Sequence, residues 1–246
     1  MTTNDTKEQP LILAIETATR AGSVAVARGE QILSSQSGDA TVSHSSNLIE
    51  IIERALAEAG ASLSEIDLFA ATVGPGSFTG LRIGLATVKG FAAVTKRKIA
   101  PVSTLAAIAH AAGDSERTVS VLPAGRGEVF AQMFSVNDGE VISLDQAMHL
   151  TPKQMIEKYA GLANLKFAGD ANRLFEAPDS NTLKSETKPA EAGTAKRLAV
   201  SAAALALKSY REGNLVTPES LRADYVRPSD AEINERWQQQ KAQAPA

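Results

Sequence analysis

The chain has 246 residues, a hydrophobic share of 43% and a formal net charge of −3. This length allows one large domain or two of ordinary size with a substantial core. Domains that bind nucleic acid unaided are usually basic, so the charge disfavours RNA binding without a partner. The sequence contains no cysteine, which excludes disulfides, thiolate metal sites and a cysteine nucleophile.

The first ten residues are polar and lack the apolar centre of a signal peptide. We expect residues 1–10 to form a disordered leader. No apolar run is long enough to span a membrane. The expected location is therefore the cytoplasm, without contact with a membrane.

The first half of the chain predicts the element order β-β-β-α-β-α-β-α. The expected strands cover residues 11–15, 23–27, 31–37, 67–73 and 99–102, and the expected helices cover 43–59, 80–96 and 105–112. In the first helix the apolar residues cover an arc of about 160°, which is wider than one-sided burial requires. Such a helix can face its own core and a partner together.

The second half predicts three strands, a helix, a strand and a helix. The strands are expected over 118–122, 128–136, 140–146 and 166–168, and the last helix over 195–211. Asn137-Asp138-Gly139 predicts a hairpin turn. Thr151 as N-cap, followed by Pro152 and Gln154, predicts the start of the intervening helix.

The two halves share this outline, which predicts two α/β lobes with a cleft between them. We expect an N-terminal lobe over 11–114 and a C-terminal lobe over 115–228. A polar loop is expected over 179–193, and a C-terminal helix or tail over 229–246.

The run GPGSFTGLRIG, Gly74 to Gly84, joins an expected strand to an expected helix. A glycine-rich loop before a helix N-terminus suits a phosphate. However, Leu81 stands where a P-loop needs lysine, and Thr79 stands where a dinucleotide loop needs its third glycine. A tight strand-to-helix connection explains the same glycines, so both interpretations stay open. Gly84 and Gly90 inside the helix indicate close approach by the chain's own sheet or by another subunit.

The segment Ile12 to Ala27 combines a strand, the acidic Glu16 and a turn of small residues. It resembles the first phosphate hairpin of the actin-like ATPase superfamily, where the acidic residue is usually aspartate. None of the histidines, at 44, 110 and 149, has a second histidine at metal-binding spacing. We expect His44 to be a surface or capping residue. The segment Leu221 to Pro228 fits either a C-terminal brace or a clamp for a phosphate or RNA backbone.

Taken in order, ILAIETAT, HSSNLIEIIERAL, GPGSFTGLRIG, VSTLAAIA, RGEVFAQMF and LRADYVR resemble the TsaB (YeaZ) family from about Leu11 to Arg227. The resemblance implies a two-lobed fold of the actin-like ATPase (ASKHA) superfamily, with a mixed sheet and helices in each lobe. It implies a non-catalytic partner of TsaD and of the ATPase TsaE in forming N6-threonylcarbamoyladenosine at position 37 of tRNAs that read ANN codons. The tRNA is then held only through the complex.

The family pairs through two N-terminal helices, with TsaD or, when alone, as a homodimer. The interface positions that the resemblance implies are Leu48, Ile51, Ile52, Ala55, Leu56, Gly80, Leu81, Gly84, Leu85 and Val88. Nucleotide-binding positions, if this chain uses any, are Glu16, Thr17, Gly76 and Ser77. No catalytic residue, metal site or cofactor of its own is expected. Whether ATP or ADP with Mg binds at the partner interface stays open.

Two departures from the family pattern weaken the case for ATP hydrolysis by this chain. Glu16 replaces aspartate, and the segment Asp-Ala-Arg-Arg-Gly-Glu appears with Pro123 and Gly125 in place of an acidic and a basic residue. The alternative function is a stand-alone ATPase or small-molecule kinase of the same superfamily. A glycoprotease, a label given to the wider family, has neither a histidine pair nor a nucleophile elbow to support it.

Overall fold

The computed structural model describes residues 8–169 and 194–226. Most of the expected leader, the expected loop over 179–193 and the expected tail over 229–246 lie outside the described residues. Arg227 and Pro228, the end of the expected brace or clamp, also lie outside them.

The first sheet has five strands in the order β3-β2-β1-β4-β5. They are β1 (Leu11–Glu16), β2 (Ser23–Arg28), β3 (Gln31–Ser37), β4 (Leu68–Gly74) and β5 (Lys98–Ser103). The first three strands form an antiparallel meander, whereas β4 pairs parallel to both β1 and β5. Every residue of β1 is buried, because helices cover both faces of the sheet at this central strand.

The second sheet also has five strands, with the path β10-β6-β7-β8 and β9 paired to β7. They are β6 (Ser115–Gly125), β7 (Glu128–Asn137), β8 (Glu140–Ser143), β9 (Met148–Leu150) and β10 (Leu165–Gly169). The turn between β7 and β8 contains Asp138 and Gly139 at positive φ. This is the backbone that the asparagine-aspartate-glycine sequence predicts for a tight hairpin.

Five α-helices pack against these sheets within the described part of the chain. They are α1 (His44–Glu58), α2 (Phe78–Thr95), α3 (Thr104–Ala112), α4 (Pro152–Tyr159) and α5 (Thr194–Glu212). Ser43, Ser77, Ser103 and Thr151 cap the first four, each accepting a hydrogen bond from a backbone N–H of the first turn. The predicted reciprocal bonds between Thr151 and Gln154 are present.

The elements form layers around three apolar clusters. Helices α1 and α2 cover the outer face of the first sheet, and α4 covers the outer face of the second. The largest cluster lies between the two sheets and contains α3 and α5. Small residues of α5, such as Ala202, Ala203 and Ala206, are buried there and let the helix lie close to both neighbours.

Two helices, α3 and α5, each pack on the sheet of the other half of the chain. Helix α3, which falls in the expected N-terminal lobe, packs mainly on β6 and β7 of the second sheet. Helix α5, which falls in the expected C-terminal lobe, packs on β1 and β2 of the first. The chain then returns to the first sheet, where Val216 bridges Ile99 and Asp224 N donates to Val73 O at 2.7 Å. The chain passes from the first sheet to the second between β5 and β6, but α3, α5 and the last described segment pack across this division. The division into lobes over 11–114 and 115–228 stays a prediction.

Candidate functional site

The glycine loop between β4 and α2 lies on the turn between β1 and β2. Ser77 N donates a hydrogen bond to Ala18 O at 2.8 Å. A Cβ added to Gly76 would lie 2.6 Å from the Cβ and the carbonyl oxygen of Ala18. A Cβ on Gly80 or on Gly84 would collide with Thr17. These three glycines are therefore needed for close contact within the chain.

The Glu16 carboxylate, fully buried at the end of β1, is enclosed by the same turn. Its oxygens accept from Thr19 N at 2.7 Å, from Thr19 Oγ1 at 2.8 Å and from Ser23 Oγ at 3.3 Å. Burial raises the pKa of Glu16 above its ordinary value, while these hydrogen bonds and the charge of His44 lower it. The carboxylate therefore stabilises its own turn and has three donors from the chain itself.

Of the two roles expected for His44, a surface or a capping residue, the surface role is wrong. It begins α1, it is only 9% exposed, and its Nε2 donates to Thr19 O at 2.9 Å. Its ring lies between two glycines, because a Cβ on Gly22 would meet Cε1 at 2.8 Å and one on Gly80 would meet Cδ2 at 3.0 Å. One signal in the sequence marks this position, a histidine directly after a serine N-cap and before an apolar helix.

A cavity of about 790 Å³ opens between the two sheets beside this turn. The first sheet and its helices supply polar lining residues, among them Thr19, Arg20, Ser43, His44, Ser77 and Thr79. The second sheet and the middle helices supply mainly apolar ones, among them Ile108, Leu122, Pro123, Gly169 and Leu198. Pro123, which stands where the family pattern has aspartate, thus lies in the cavity wall.

The lining of this cavity favours an anion. Its charged side chain is Arg20, and its described lining residues include no aspartate or glutamate. The N-terminal ends of α1 and α2, marked by Ser43 and Ser77, both border it. Helix N-termini carry a partial positive charge and unpaired N–H groups, so a phosphate or carboxylate suits this place.

The structure brings the four expected nucleotide-binding residues close together but does not turn them all toward the cavity. Of the four, Ser77 lines it. Glu16 and Thr17 are 0% and 1% exposed and face the chain's own turn and helix. Gly76 is in contact with Ala18. Thr19, Arg20 and His44, which the sequence did not single out for this purpose, line the cavity instead.

The expected interface residues lie mostly in the core of the chain itself. The buried members are Leu48, Ile51, Ile52, Ala55, Gly80, Leu81, Gly84, Leu85 and Val88, and Leu56 is half-buried. The apolar sides of α1 and α2 pack on the first sheet, which removes these side chains from any partner. An interface on these helices stays a prediction, and its contacts must come from their exposed side.

The exposed side of α1 and α2 carries apolar and small residues. Ile49 of α1 is 51% exposed and Val94 of α2 is 83% exposed. Ala86 and Gly90 lie in the same row of α2 as Val94, and a Cβ on Gly90 would meet nothing within 4 Å. Of the two helix glycines, Gly84 is thus explained by the chain's own Thr17, whereas Gly90 is open.

The last described segment packs as the expected brace. Leu221 is buried in the cluster beneath α2, and a Cβ on Gly74 would collide with Asp224 O. Tyr225 remains 46% exposed, with its ring 5.3 Å from that of Phe78. The alternative, a clamp for a phosphate or an RNA backbone, stays a prediction that concerns the exposed side of this segment.

No group of three or more histidine, aspartate or glutamate residues suited to a metal ion occurs within 8–169 and 194–226. His110 is half-buried, and its Nδ1 lies 3.1 Å from Ser201 Oγ of α5. Burial lowers the pKa of His110, while the charge of Asp114 raises it. Among the described helices, none combines the length and hydropathy that a membrane span requires.

The two sheets with helices between and outside them occur in component A of the (R)-2-hydroxyglutaryl-CoA dehydratase of Acidaminococcus fermentans. That structure superposes with a TM-score of 0.54 at 11% identity, over 82% of this chain and 99% of that chain. At this identity the similarity concerns the fold alone. The expected two-lobed actin-like ATPase fold is confirmed.

Two further comparisons concern the family. A sequence profile of TsaD, described as tRNA N6-adenosine threonylcarbamoyltransferase, matches residues 31–234. YeaZ from Pseudomonas aeruginosa superposes with a TM-score of 0.75 at 27% identity, over 88% of this chain and 99% of that one. The chain belongs to this family and, within it, to the TsaB (YeaZ) group, as the sequence motifs predict.

Among curated relatives, the chain is similar to the tRNA threonylcarbamoyladenosine biosynthesis protein TsaB of Haemophilus influenzae. The two are 35% identical over 123 residues, which are 48% of this chain and 51% of that protein. The chain thus spans about half the length of the curated relatives that it matches.

Proposed function

We propose that this chain is a non-catalytic partner in the formation of N6-threonylcarbamoyladenosine at position 37 of tRNAs that read ANN codons. In this proposal a TsaD-type transferase carries out the transfer and a TsaE-type ATPase assists. The chain forms a homodimer when alone. Membership of the TsaB group and the name of its Haemophilus influenzae relative support a role in this modification.

The burial of the Glu16 carboxylate is the observation that supports a non-catalytic role. In the phosphate hairpin that this segment resembles, the acidic side chain works near a metal ion. Here it is fully buried and accepts hydrogen bonds from Thr19 and Ser23. The glycine loop, which would approach a phosphate, is in contact with Ala18 and Thr17 instead.

The actin-like fold implies a nucleotide with Mg, and the residues present do not fit that pair. Mg prefers carboxylate oxygens and waters. The described lining of the cavity offers no carboxylate, and Pro123 stands where the family pattern supplies one. Arg20 and the two helix N-termini fit an anion without a metal. The described lining of this cavity therefore lacks the carboxylate that Mg-dependent phosphoryl transfer needs.

The exposed sides of α1 and α2 are the surfaces that we propose for the partner. They present Ile49 on α1, and Ala86 and Val94 on either side of the open Gly90 on α2, so that a partner helix can approach closely. Small residues at a helix surface reduce the distance between packed helices. The same surface serves a second copy of the chain when the partner is absent.

The test is depletion of the chain from its cell, followed by mass spectrometry of nucleosides from total tRNA. We expect the amount of N6-threonylcarbamoyladenosine to fall and to return when the wild-type chain or Glu16→Gln is supplied. An unchanged amount after depletion would contradict the proposal.

The cavity keeps one alternative open, a stand-alone ATPase or small-molecule kinase. Its volume and its anion-favouring lining are the observations in favour. This alternative predicts phosphate release from ATP by the isolated chain, reduced by Arg20→Ala. Absence of turnover with and without a panel of small-molecule acceptors would reject it.

A further inference from the structure

Two cations lie along one side of α2, and a third lies at its C-terminal end. Arg82 and Lys89 are seven residues apart, which places the second about 20° around and about 10.5 Å further along the helix. Lys96 is the C-cap residue and extends this row in a left-handed backbone conformation. Arg82 and Lys96 are exposed and Lys89 is half-buried. Arg97 and Lys98, both exposed, follow directly where the helix ends.

The segment that returns to the first sheet runs beside this row and adds a sixth cation. Its residue Glu219 interacts electrostatically with Lys98 and Lys89. Arg222, which is exposed, donates to Glu219 O. Further along, Arg82 Nε donates to Tyr225 OH at 3.4 Å. We call the six cations the basic ridge: Arg82, Lys89, Lys96, Arg97, Lys98 and Arg222.

An exposed aromatic pair lies at the start of the basic ridge. The rings of Phe78 and Tyr225 are 5.3 Å apart, and the side chains are 40% and 46% exposed. The guanidinium carbon of Arg82 lies 3.8 Å from the centre of the Phe78 ring. A partly exposed aromatic pair thus adjoins a cation that lies over one face of Phe78.

The ridge is positive within a chain whose formal net charge is −3. Among the described residues, the carboxylates beside it include Glu219, Asp224 and Asp67. The side chain of Asp67 is only 5% exposed and lies 3.8 Å from Arg97. Even if all three carboxylates are counted, the local charge is positive, which attracts a polyanion.

We propose that the basic ridge binds the phosphate backbone of RNA and that the Phe78–Tyr225 pair stacks on an unpaired base. Cations spaced along a track beside exposed aromatic rings are the combination that single-stranded and loop RNA requires. An acidic protein surface would use the cations but would not need the exposed aromatic pair. The inference rests on the proposed function for the identity of the RNA, a tRNA. It adds a direct contact to the expectation that tRNA is held only through the complex.

The test measures binding of a labelled, unmodified tRNA transcript that reads an ANN codon, over a range of salt concentrations. The full chain is used, alone and with a TsaD-type partner. The ridge variant is Lys89→Gln with Lys96→Gln and Arg222→Gln. The matched control is Arg28→Gln with Lys153→Gln and Arg211→Gln, which removes the same number of positive charges from exposed positions away from α1 and α2.

We expect the ridge variant to bind the transcript about tenfold or more weakly than the control variant. Each lost phosphate contact lowers the slope of log affinity against log salt by about 0.7 for single-stranded RNA, so the slope falls by about 2. Tyr225→Leu removes stacking and not charge, so it weakens binding about tenfold with the salt slope unchanged.

Equal affinities and equal salt slopes for the ridge and control variants would overturn the inference. So would a ridge variant that loses its protein partner while its own affinity for RNA is unchanged, since the ridge would then bind an acidic protein surface. Circular dichroism and unfolding of each variant show that the fold is kept.

The proposed function is tested separately, by the amount of N6-threonylcarbamoyladenosine in tRNA after depletion of the chain. If depletion lowers the nucleoside but the ridge variant binds RNA normally, the ridge inference fails and the function stands. If depletion leaves the nucleoside unchanged while the ridge variant loses RNA, the function fails and the ridge stands.

Discussion

Thr17 and Gly84 meet where the turn between β1 and β2 passes over α2. The hydroxyl of Thr17 occupies the place where a Cβ on Gly84 would lie. The glycine that looked available to another subunit is therefore used within the chain, and it fixes the distance between the helix and the central strand.

This contact predicts opposite effects of alanine at two glycines of the same helix. Gly84→Ala forces a methyl group onto Thr17 and should lower the free energy of unfolding by about 1–3 kcal/mol. Gly90→Ala meets open space and should raise it by up to about 1 kcal/mol, the ordinary helix preference of alanine. Urea unfolding measures both.

Thr17→Ala in the Gly84→Ala background removes the colliding hydroxyl and should restore part of the loss. Similar effects of alanine at 84 and at 90, or a double variant no more stable than Gly84→Ala, would contradict the contact.

The burial of Glu16 predicts that the free energy of unfolding depends on pH. Burial raises its folded pKa above the ordinary value of 4.5, so the folded state holds the proton more strongly than the unfolded state. The free energy of unfolding should therefore fall as the pH rises from 4.5 toward the folded pKa. Glu16→Gln removes this fall, because its amide can still accept from Thr19 N and donate to the hydroxyls of Thr19 and Ser23.

Glu16→Ala is the comparison, since it leaves Thr19 N without its acceptor. It should lower the free energy of unfolding by about 1–3 kcal/mol at every pH. Unfolding in urea between pH 4 and pH 8 distinguishes the two variants. A pH dependence of Glu16→Gln equal to that of the wild type would show that Glu16 is not its source.

Tyr159 and Lys158 of α4 both bind Asp145 Oδ2, at 2.9 Å and 2.6 Å. Tyr159 is 1% exposed, and burial together with Asp145 raises the pKa of its hydroxyl. Tyr159→Phe should lower the free energy of unfolding by about 1–2 kcal/mol, because Asp145 loses a buried partner. Lys158→Gln should change it by less than about 1 kcal/mol, because that pair is partly exposed. A larger loss for Lys158→Gln would reverse this ranking.

The packing of α2 decides which substitutions can test the partner surface. Leu85 is only 6% exposed, so Leu85→Asp would unfold the chain and report nothing about an interface. Ala86→Asp adds a charge on the exposed side and should abolish co-purification with a TsaD-type partner while leaving thermal unfolding unchanged.

Ile142→Asp is the control, because Ile142 is 53% exposed on β8, away from α1 and α2. Retention of the partner by Ala86→Asp, or its loss with Ile142→Asp, would place the interface elsewhere.

Local signals in the sequence predicted most of the elements. The capping residues Thr151 and Gln154 and the hairpin residues Asp138 and Gly139 act within four residues of chain, so their geometry can be read locally. Strand β9 was missed, because Met148–Leu150 is too short to show an alternating pattern. The strand expected over 140–146 ends at Ser143 instead, where the chain leaves the sheet.

The exchange of α3 and α5 between the sheets could not be read from the sequence. About half of their buried residues are alanine, which packs equally well on either sheet, so the pattern does not specify the partner. The cleft between the two halves is predicted, but the residues that line it are not, for a related reason. Arg20 and Pro123 are far apart in the chain, and only the packing of the two sheets brings them to one wall.

The most direct measurement is the amount of N6-threonylcarbamoyladenosine in tRNA from cells in which this chain is replaced by Arg20→Ala, Glu16→Gln or Ala86→Asp. A non-catalytic partner predicts normal amounts with the first two variants, which alter the cavity and the enclosed carboxylate, and a strong loss with Ala86→Asp. Loss with Arg20→Ala together with normal amounts for Ala86→Asp would show that the cavity, and not the helix surface, performs the function.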